Sequence, residues 1–362
     1  MKLLIISTVP YEFNGISTVI QNLYANEVFS KENLTFLFPI GSDSNRINVL
    51  EHFGYTVILN GDRSKNTGRY IRFLITLIKK EQFNIVHVHG SSATNFIEIL
   101  ATYCAKTPIR IMHCHSSKNK YAFIHKAFKP FLNLLCTHRF ACSHEAGKFL
   151  FGKAKCEIIN NAFDVSKYQF DNNLRIKYRK ELNINNNATV IGHVGVMGDS
   201  KNQTFLVKAF SVYHKNNNNS ILLLVGDGNN RSLIEKEILD MGLQDSVKLI
   251  CSCNYVSEIL NAMDCFVFPS LHEGLGIAPI EAQANGLPVI SACDNIPSLI
   301  KINDNFCFMS LSEGENAWAE KMETISKVRD ARGIENVCNA GYDLSKEIKK
   351  LHTKYTELLS KV

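Results

Sequence analysis

The amino-acid sequence predicts an α/β protein with two Rossmann-like, doubly wound parallel-sheet domains in tandem. The chain has 362 residues, which is too long for one ordinary domain and comfortable for two. Short β-branched runs alternate with longer segments of helical spacing, the pattern of βαβ units with helices on both faces of a parallel sheet. A polar, asparagine-rich stretch at 164–188 interrupts this alternation, and a second alternating series follows it.

The first series predicts an N-terminal domain at 1–165. Its opening run is short, is broken by Pro10 and Glu12 and lacks a small-residue cleavage site, so it predicts a buried strand rather than a signal peptide. The predicted strands are 3–6, 34–38, 56–59, 85–89, 109–112, 140–142 and 157–159, and the clearest helices are 16–28, 70–80, 95–103 and 124–135.

We interpret residues 166–188 as a linker and 189–340 as a C-terminal Rossmann-like domain. We expect 341–362 to form a helix that packs back on the N-terminal domain. The predicted strands of the second series are 190–194, 221–225, 247–250, 265–268 and 288–291. Two such domains are expected to face each other across a central cleft, with ligands at the carboxyl ends of the strands.

Composition excludes several protein classes. Hydrophobic residues make up 45% and charged residues 20%, which excludes disordered and fibrous chains. No run of about 18 apolar residues occurs, so we expect no membrane-spanning helix. The 11 cysteines include no CxxC pair, which favours free thiols in a reducing cytoplasm over a metal site.

The positive charge is concentrated in the first half of the chain. Residues 1–165 carry 19 Lys/Arg and 11 Asp/Glu, giving +8, and within them 101–150 carry 8 against 1, giving +7. This predicts an anionic partner, namely a membrane surface, nucleic acid or phosphate. The stretch 118–139 mixes five basic residues with phenylalanines, which favours the anionic inner membrane surface; the alternative is a helix whose phenylalanines face the core. No aromatic platform or module for nucleic acid accompanies the charge, so we expect no nucleic-acid partner.

The stretch PSLHEGLGIAPIEAQANGLPVI, residues 269–290, carries the most chemical information. A buried strand ends just before it, a loop follows with Glu273, Gly274 and Gly276, and Glu281 lies on the next helix. Glycines let backbone amides approach a ligand, and a helix N-terminus favours anionic oxygens. Two carboxylates flanking a phosphate site suit the hydroxyl groups of a nucleotide sugar. The alternative is a strand–loop–helix turn with capping glutamates.

The Glu-x7-Glu pattern of Glu273 and Glu281 resembles the signature of the retaining glycosyltransferases of family 4, which have the GT-B fold. Further motifs follow in that family's order along almost the whole chain. They are NG at 14–15, FNIVHVHG at 83–90, RIMHCHSS at 110–117, FACSHEAGKFLFG at 140–152, IINNAFD at 158–164, HVGVMGDSKN at 193–202, LLLVGDGNNRSLIE at 222–235 and DCFVFPS at 264–270. The branch that the chain most resembles builds bacterial capsular or exopolysaccharide repeat units.

The resemblance implies a role for each matching residue. Glu281 is similar to the glutamate that binds the donor ribose, and Glu273 to the one that touches the donor sugar. Lys201 matches the basic residue on the diphosphate, and His115 the histidine near the reacting sugar; with Glu273 these form the expected catalytic set. The other donor-binding positions are loop glycines and backbone amides, namely Gly15, Gly226, Gly228, Gly274, Leu275, Gly276 and Ile277.

Alternatives remain for the histidines. His115 could be a core or strand-end histidine. His113, two residues earlier, points the same way off its strand and is the rival candidate. His87 and His89 flank the end of another strand, and we expect both to be structural.

The chain departs from the family pattern at one position. The family usually has Gly-Arg where this sequence has Gly195-Val196, and valine cannot replace a guanidinium that pairs with the diphosphate. Lys201 would then be the main cation there, unless it lies on a solvated helix start. Gly226 and Gly228 allow a tight turn near the base, or a turn without ligand contact.

The resemblance implies a retaining, metal-independent hexosyltransferase. It would use a nucleoside diphosphate sugar, which we expect to be a UDP-sugar, and a lipid-linked or glycan acceptor in cell-surface polysaccharide synthesis. We expect no cofactor and no metal, and a cytoplasmic protein peripheral to the plasma membrane. The alternative is a nucleotide-sugar-binding protein with little or no turnover. A nicotinamide oxidoreductase is disfavoured because no GxGxxG follows the first strand, and an epimerase or phosphorylase would share the architecture without the paired glutamates.

Overall fold

The computed structural model describes residues 1–116 and 122–362. The chain divides into two compact units, one formed by Met1–Phe163 with Leu344–Val362 and the other by Asp164–Asp343. Within the described residues each unit contains one parallel sheet flanked by helices, so the predicted α/β fold class with two Rossmann-like domains is confirmed.

The first unit has the sheet order β3-β2-β1-β4-β5-β6-β7 over its described residues, all parallel. The strands are β1 Leu3–Ser7, β2 Leu34–Pro39, β3 Thr56–Asn60, β4 Ile85–Gly90, β5 Ile109–Cys114, β6 His138–Ala141 and β7 Glu157–Ile158. The helices are α1 Gly15–Tyr24, α2 Ser44–His52, α3 Asp62–Lys65, α4 Thr67–Glu81, α5 Phe96–Cys104, α6 Ala122–Leu135, α7 His144–Phe151 and, from the end of the chain, α15 Leu344–Leu359.

The strands at the centre of this sheet are buried along their whole length, as expected for a parallel sheet covered on both faces. The strand order reverses between β1 and β4, and at such a point two loops diverge and leave room for a ligand. The loops after β1, β4 and β5 therefore hold the candidate residues of this unit. Helices α1 and α15 cover one face, where Ile20, Leu351 and Tyr355 enter the core.

The second unit repeats this arrangement, with the order β10-β9-β8-β11-β12-β13 in the part of the chain described. Its strands are β8 Thr189–Val194, β9 Ser220–Val225, β10 Val247–Ile250, β11 Cys265–Phe268, β12 Val289–Ala292 and β13 Phe306–Met309. Its helices are α8 Asn172–Glu181, α9 Gln203–Asn216, α10 Arg231–Asp240, α11 Val256–Ile259, α12 Ile277–Ala284, α13 Gly314–Thr324 and α14 Gly333–Val337. The order reverses between β8 and β11, and the loops after those strands carry the candidate donor site.

The predicted linker at 166–188 is not a separate link, because it lies inside the second unit. Helix α8 is fixed there by two arginines that share one carboxylate. Arg175 Nη2 lies 2.6 Å from Asp264 Oδ1, and the buried Arg179 Nη2 lies 2.7 Å from Asp264 Oδ2. Asp264 also accepts a hydrogen bond from the Val190 amide, so α8 is joined to the starts of β8 and β11.

Two further differences from the prediction are the end of one helix and one additional strand. The helix predicted at 16–28 ends at Tyr24, and the Asn26 side chain donates to the Leu23 carbonyl just beyond that end. Strand β13, with the sequence FCFM, was not predicted, because four residues between polar segments give too short a periodic signal.

Candidate functional site

Lys201 and Glu273 form an ion pair where β8 and β11 end. The Lys201 Nζ lies 2.5 Å from the Glu273 Oε1, and the two side chains are only 20% and 14% exposed. Lys201 ends the short turn Asp199–Lys201 after β8, and Glu273 lies in the loop after β11. The lysine ammonium also lies 4.9 Å from the centre of the Phe268 ring. Because β8 and β11 are neighbours in the sheet, residues 72 positions apart meet at one edge.

The loop that carries Glu273 is fastened to the turn that carries the lysine. The Ser270 Oγ lies 2.5 Å from the Glu273 Oε1 and 2.7 Å from the Ser200 carbonyl oxygen. The Leu271 amide donates to the same Ser200 carbonyl at 2.8 Å. The two segments that carry the ion pair are therefore joined to each other through the Ser200 carbonyl. Ser270 is a site residue that was not predicted from the sequence.

Helix α12 begins directly after the loop that carries Glu273. Gly276 precedes the helix with φ of +89°, a left-handed conformation that favours glycine, and a Cβ placed there would lie 3.6 Å from the Glu273 Cγ. The loop thus turns tightly enough to bring the amides of residues 274–277 to the helix N-terminus. The macrodipole adds partial positive charge at that end, so the position suits anionic oxygens.

Glu281 lies on α12 and is held by a tyrosine from the start of this unit. The Tyr168 hydroxyl donates to the Glu281 Oε1 at 2.7 Å across 113 positions of sequence. Burial raises the pKa of Glu281 above its ordinary value, and the hydrogen bond from Tyr168 opposes that rise. Tyr168 therefore favours the charged carboxylate, which is the form that accepts hydrogen bonds from hydroxyl groups.

Gly226 and Gly228 pack against the backbone of the loop after β8. Both have positive φ, and a Cβ would lie 2.0 Å from the Gly195 carbonyl oxygen at Gly226 and 2.4 Å from the Met197 carbonyl oxygen at Gly228. The Met197 amide donates to the Asp227 carbonyl at 2.8 Å. This close approach of two loops accounts for both glycines without a ligand.

Val196 stands at the surface of that loop. Its side chain is 44% exposed, and its carbonyl accepts a hydrogen bond from the Nε2 of the buried Gln203 at 3.1 Å. The backbone at this position is thus anchored to α9 while the side chain is accessible.

In the first unit, Gly15 is the first residue of α1. The Asn14 side chain caps the helix by accepting from the Ser17 amide at 2.9 Å. Among the described residues, no atom lies within 4 Å of a Cβ built on Gly15. Packing within this unit does not require a glycine there, and the ten-residue helix presents its N-terminal amides beside it.

His115 directly follows β5 and is joined to a neighbouring histidine. Its Nε2 lies 2.9 Å from the Nδ1 of His89, and its amide donates to the Gly90 carbonyl at 3.2 Å. Burial lowers the pKa of His115 to about 3, so the ring is neutral near pH 7. A neutral imidazole can donate or accept a hydrogen bond, but it brings no positive charge to a phosphate.

The other strand histidines lie on the same face of the sheet. Tyr24 of α1 and Tyr355 of α15 approach them, with the Tyr24 hydroxyl 3.1 Å from His89 Nε2 and 2.9 Å from His87 Nδ1. His113 is stacked on His115 with 4.2 Å between ring centres. Within the described part of the chain, neither ring nitrogen of His113 has a hydrogen-bond partner.

His87, His89 and His113 offer nitrogens within 4.8 Å of one another, a spacing that invites comparison with a metal site. Both His89 nitrogens already take part in hydrogen bonds, to Tyr24 and to His115. The His87 ring stacks on those of His89 and His113 at interplanar angles of 22° and 21°, whereas metal ligands must point at one centre. The arrangement suits a hydrogen-bonded stack better than a metal centre.

Comparison with known proteins identifies the family of the C-terminal half of the chain. The family model described as "Glycosyl transferases group 1" matches residues 175–332. The putative glycosyltransferase EpsF of Bacillus subtilis is 28% identical over 361 residues, covering 94% of this chain and 93% of EpsF. Residues 175–332 belong to the group 1 glycosyl transferases. A second relative, the Escherichia coli UDP-Gal:alpha-D-GlcNAc-diphosphoundecaprenol alpha-1,3-galactosyltransferase, is 30% identical over 250 residues, 65% of this chain and 62% of the relative.

The fold of the chain also matches solved GT-B structures. The crystal structure of Anabaena HepE with UDP-glucose superposes with a TM-score of 0.78 at 16% identity, covering 100% of both chains. The family resemblance and the fold class predicted from the sequence are thereby confirmed. In the part of the chain that the structure describes, we find no helix with the length and apolar character needed to span a membrane.

The structure brings some of the predicted site residues together. Lys201, Glu273, the 274–277 amides and Glu281 gather at the switch point of the second sheet. Gly15 and His115 lie at the corresponding edge of the first sheet. Sequence reasoning missed Tyr168 and Ser270. The Ser270–Glu273 spacing of three residues is a local signal for the serine, whereas nothing local marks the tyrosine.

Proposed function

We propose that this glycosyltransferase moves a hexosyl unit from a UDP-sugar to a lipid-linked or glycan acceptor, with retention at the anomeric carbon, in cell-surface polysaccharide synthesis. The observation that carries the proposal is the shielded Lys201–Glu273 pair at the N-terminus of α12, with Glu281 on the same helix. The E. coli relative supports the donor and acceptor classes, because its name specifies a UDP-sugar and a diphosphoundecaprenol acceptor.

In this proposal each side chain binds a different part of the donor. Glu281 accepts hydrogen bonds from the ribose hydroxyls, and Glu273 accepts from hydroxyls of the transferred sugar. Lys201 and the amides of residues 274–277 stabilise the diphosphate as negative charge develops on it. His115 contacts the reacting sugar, and the helix start at Gly15 approaches the phosphate.

The proposed reaction needs no nucleophile from the enzyme. The acceptor oxygen forms a bond to the anomeric carbon on the face from which the diphosphate leaves, and the carbon–oxygen bond to the diphosphate breaks. The acceptor proton passes to a phosphate oxygen of the leaving group. We propose that fixed cations and helix amides suffice to stabilise that group, so that transfer proceeds without a metal ion.

Helix α6 supports a place at the anionic inner surface of the plasma membrane. Phe123 and Leu134 on this helix are 86% and 78% exposed, and Phe131 and Lys126 are exposed beside them. Apolar and basic side chains together suit the interface that would present a lipid-linked acceptor. The first basic residues of the predicted membrane stretch, at 118 and 120, lie outside the described residues.

A donor screen tests the proposed function. Purified full-length protein is incubated with UDP- and GDP-sugars, with and without a lipid-linked sugar, and released nucleotide is measured. We expect release with one UDP-sugar, dependent on the acceptor and insensitive to EDTA, and an anomeric configuration in the product that matches the donor by NMR. Inverted product or EDTA-sensitive turnover would contradict the retaining, metal-independent assignment.

A second candidate function is binding of nucleotide sugar with little turnover. It is favoured by Val196, which leaves the usual arginine position without a charge, and by the engagement of Lys201 with Glu273. Calorimetry separates the two candidates. Tight UDP-sugar binding without product in the presence of any acceptor would favour the binding protein.

A further inference from the structure

A continuous series of hydrogen-bonded groups links His115 to the C-terminal helix. His115 Nε2 lies 2.9 Å from His89 Nδ1, and His89 Nε2 lies 3.1 Å from the Tyr24 hydroxyl. The Tyr24 hydroxyl lies 2.9 Å from that of Tyr355, which lies 2.5 Å from the Nδ1 of His87. We call these five side chains the His–Tyr relay. All of them belong to the first unit.

Every member of the His–Tyr relay is neutral near pH 7. Burial lowers the pKa of His87, His89 and His115 well below the usual range, and it raises the pKa of Tyr24 and Tyr355. Each histidine therefore carries one ring proton and each tyrosine one hydroxyl proton. The number of donors in the relay is then fixed, and only their direction is open.

Two directions satisfy these four links, and the further contact of 2.9 Å between the Tyr24 hydroxyl and the His87 Nδ1 is compatible with both. In the first, His87 Nδ1–H donates to Tyr355, Tyr355 to Tyr24, Tyr24 to His89 Nε2, and His89 Nδ1–H to His115 Nε2. In the second, every one of these hydrogen bonds is reversed. Each direction leaves one N–H without a partner, at His115 Nδ1 in the first and at His87 Nε2 in the second. Both of these nitrogens are buried and have no hydrogen-bond partner among the described residues.

The two ends of the relay differ in what can reach them. His87 is fully buried in the middle of β4, where a donor would stay unsatisfied permanently. His115 is only partly buried and lies beyond the end of β5, at the edge where the fold binds ligands. An unsatisfied buried N–H is strongly disfavoured. The Nδ1 of His115 is itself shielded, but of the two ends only His115 lies at the ligand-binding edge of the sheet, where a bound donor can approach the ring.

We propose that the His–Tyr relay fixes His115 in the Nδ1–H tautomer, so that this ring offers a hydrogen-bond donor to an oxygen of the bound nucleotide sugar. His89, Tyr24 and Tyr355 are then positioning residues that act through His115. The part of the proposal that concerns the ligand rests on the proposed function of His115.

The tautomer limits what His115 can do. With Nε2 accepting from His89 and Nδ1 protonated, the neutral ring has no lone pair left to take a proton from the acceptor. His115 is a donor to the sugar or phosphate, and the proton of the acceptor must go elsewhere. A phosphate oxygen of the leaving group, as in the proposed reaction, meets that need.

The test is nitrogen NMR of the full-length protein with ¹⁵N-labelled histidine, which distinguishes protonated from unprotonated ring nitrogens. Single histidine replacements assign the signals. We expect His87, His89 and His115 all to be protonated at Nδ1 and unprotonated at Nε2, whereas free imidazole side chains in water favour Nε2–H. A protonated Nε2 on His89 or His115 would overturn the proposal, as would nitrogen shifts caused by a bound metal that EDTA removes.

Two variant pairs test individual links. In Tyr24→Phe, the His89 Nε2 loses its hydrogen-bond donor. We expect its nitrogen chemical shift to move to that of an unprotonated ring nitrogen that accepts no hydrogen bond. Tyr55→Phe is the matched control, because its hydroxyl donates to backbone carbonyls in the same core and touches no histidine. Equal signals in both variants would contradict the Tyr24 link.

At position 89, His89→Asn retains an N–H for His115, whereas the nearly isosteric His89→Asp can only accept and should place a proton on His115 Nε2. We expect His89→Asp to lower kcat/KM about tenfold more than His89→Asn. Equal losses in two folded variants would contradict the positioning role. A fully active His115→Ala variant would contradict the proposed role of His115 in ligand binding. It would not affect the tautomer proposal, which the NMR measurement on the wild-type protein tests separately.

Discussion

The Lys201 ammonium and the Glu273 carboxylate lie 2.5 Å apart in a shielded position, so each of these residues holds the other in place before any ligand arrives. In the proposed donor complex, the diphosphate shares the lysine with the glutamate. The hydroxyls of the donor sugar compete for the same carboxylate. Binding of the whole donor therefore exchanges one internal ion pair for two sets of ligand contacts, which favours the intact nucleotide sugar over free phosphate.

Lys201→Ala should lower kcat/KM by about tenfold to a hundredfold, because it removes the proposed charge-assisted contact to the diphosphate. The matched control is Lys208→Ala, which removes a more exposed lysine of the same unit that lies 3.7 Å from Glu237. Val196→Arg should partly restore the activity of Lys201→Ala, since the Val196 side chain is 44% exposed and an arginine has room there. Near-wild-type kinetics for Lys201→Ala, or no restoration in a folded double variant, would argue against a diphosphate beside these positions.

The two glutamates should fail in different ways. Glu273→Ala is expected to abolish sugar transfer while the circular dichroism spectrum stays unchanged, because the residue lies in a loop and not in the core. Glu281→Ala should mainly weaken binding of free UDP, by about tenfold, since it removes the proposed acceptor for the ribose hydroxyls. Calorimetry with UDP separates the roles. The same loss of UDP affinity in both variants would contradict the division between sugar and ribose.

How far the sequence predicts this molecule depends on where the stabilising contacts lie. Strands such as β1 and β9 are predictable because a parallel strand buried on both faces is apolar along most of its length. The loop with Glu273 and Gly276 is predictable because a strand end, glycines and a helix start follow one another locally.

The missed features are those that depend on distant partners. The charged sequence of α8 resembles a solvated linker. Arg179 is nevertheless buried, because Asp264 and several backbone carbonyls accept hydrogen bonds from its guanidinium. Tyr168 reaches Glu281 across 113 positions, and no periodicity encodes such a contact. The relay from His115 to Tyr355 joins strands to a helix at the other end of the chain, so its members look like separate core residues in the sequence.

Tyr168→Phe should weaken UDP binding more at low pH than at high pH. The hydroxyl opposes the rise in the pKa of Glu281 that burial causes, so its loss raises that pKa further. The charged carboxylate is present above the raised pKa and is lost as the pH falls through it. We expect the UDP Kd to rise about threefold to tenfold near pH 7. The ratio of the variant's Kd to that of the wild type should increase toward pH 5.5.

Tyr178→Phe is the matched control for that experiment. Its hydroxyl donates to the Glu258 Oε2 at 2.6 Å on the same unit, and neither residue belongs to the candidate site. Calorimetric titrations with UDP at several pH values should therefore separate the two variants. A gap that stays constant with pH, or one shared by both variants, would show that Tyr168 acts on something other than the charge of Glu281.

Helix α6 should bind anionic vesicles through its exposed face. The double variant Phe123→Ser/Leu134→Ser removes apolar groups that are 86% and 78% exposed, and it should reduce sedimentation with phosphatidylglycerol vesicles several-fold. Lys126→Glu should weaken binding mainly at low salt. Leu239→Ser, at an exposed leucine of the second unit, is the control. No binding at low salt, or equal binding by all variants, would rule out this surface as a membrane contact.

The histidines of the first sheet should make the protein sensitive to acid. His87, His89, His113 and His115 all have pKa values lowered by burial, so their folded forms resist protonation while the unfolded chain takes up protons below about pH 6.5. The unfolded state therefore binds more protons in this range, and the free energy of unfolding must fall as the pH drops from about 6.5 toward the folded pKa values. Each buried histidine contributes a slope of about 1.4 kcal/mol per pH unit.

His113→Leu removes one such group, and the ring that it removes has no hydrogen-bond partner on either nitrogen among the described residues. We expect urea unfolding of this variant to show equal or higher stability near pH 7 and a pH dependence shallower by about one proton between pH 6.5 and 5. Phe140→Leu alters the neighbouring ring, 6.1 Å away, without removing a titratable group, so it should lower stability and leave the slope unchanged. An unchanged slope in His113→Leu would mean that this imidazole takes up its proton in the folded state, and that the stack is open to water.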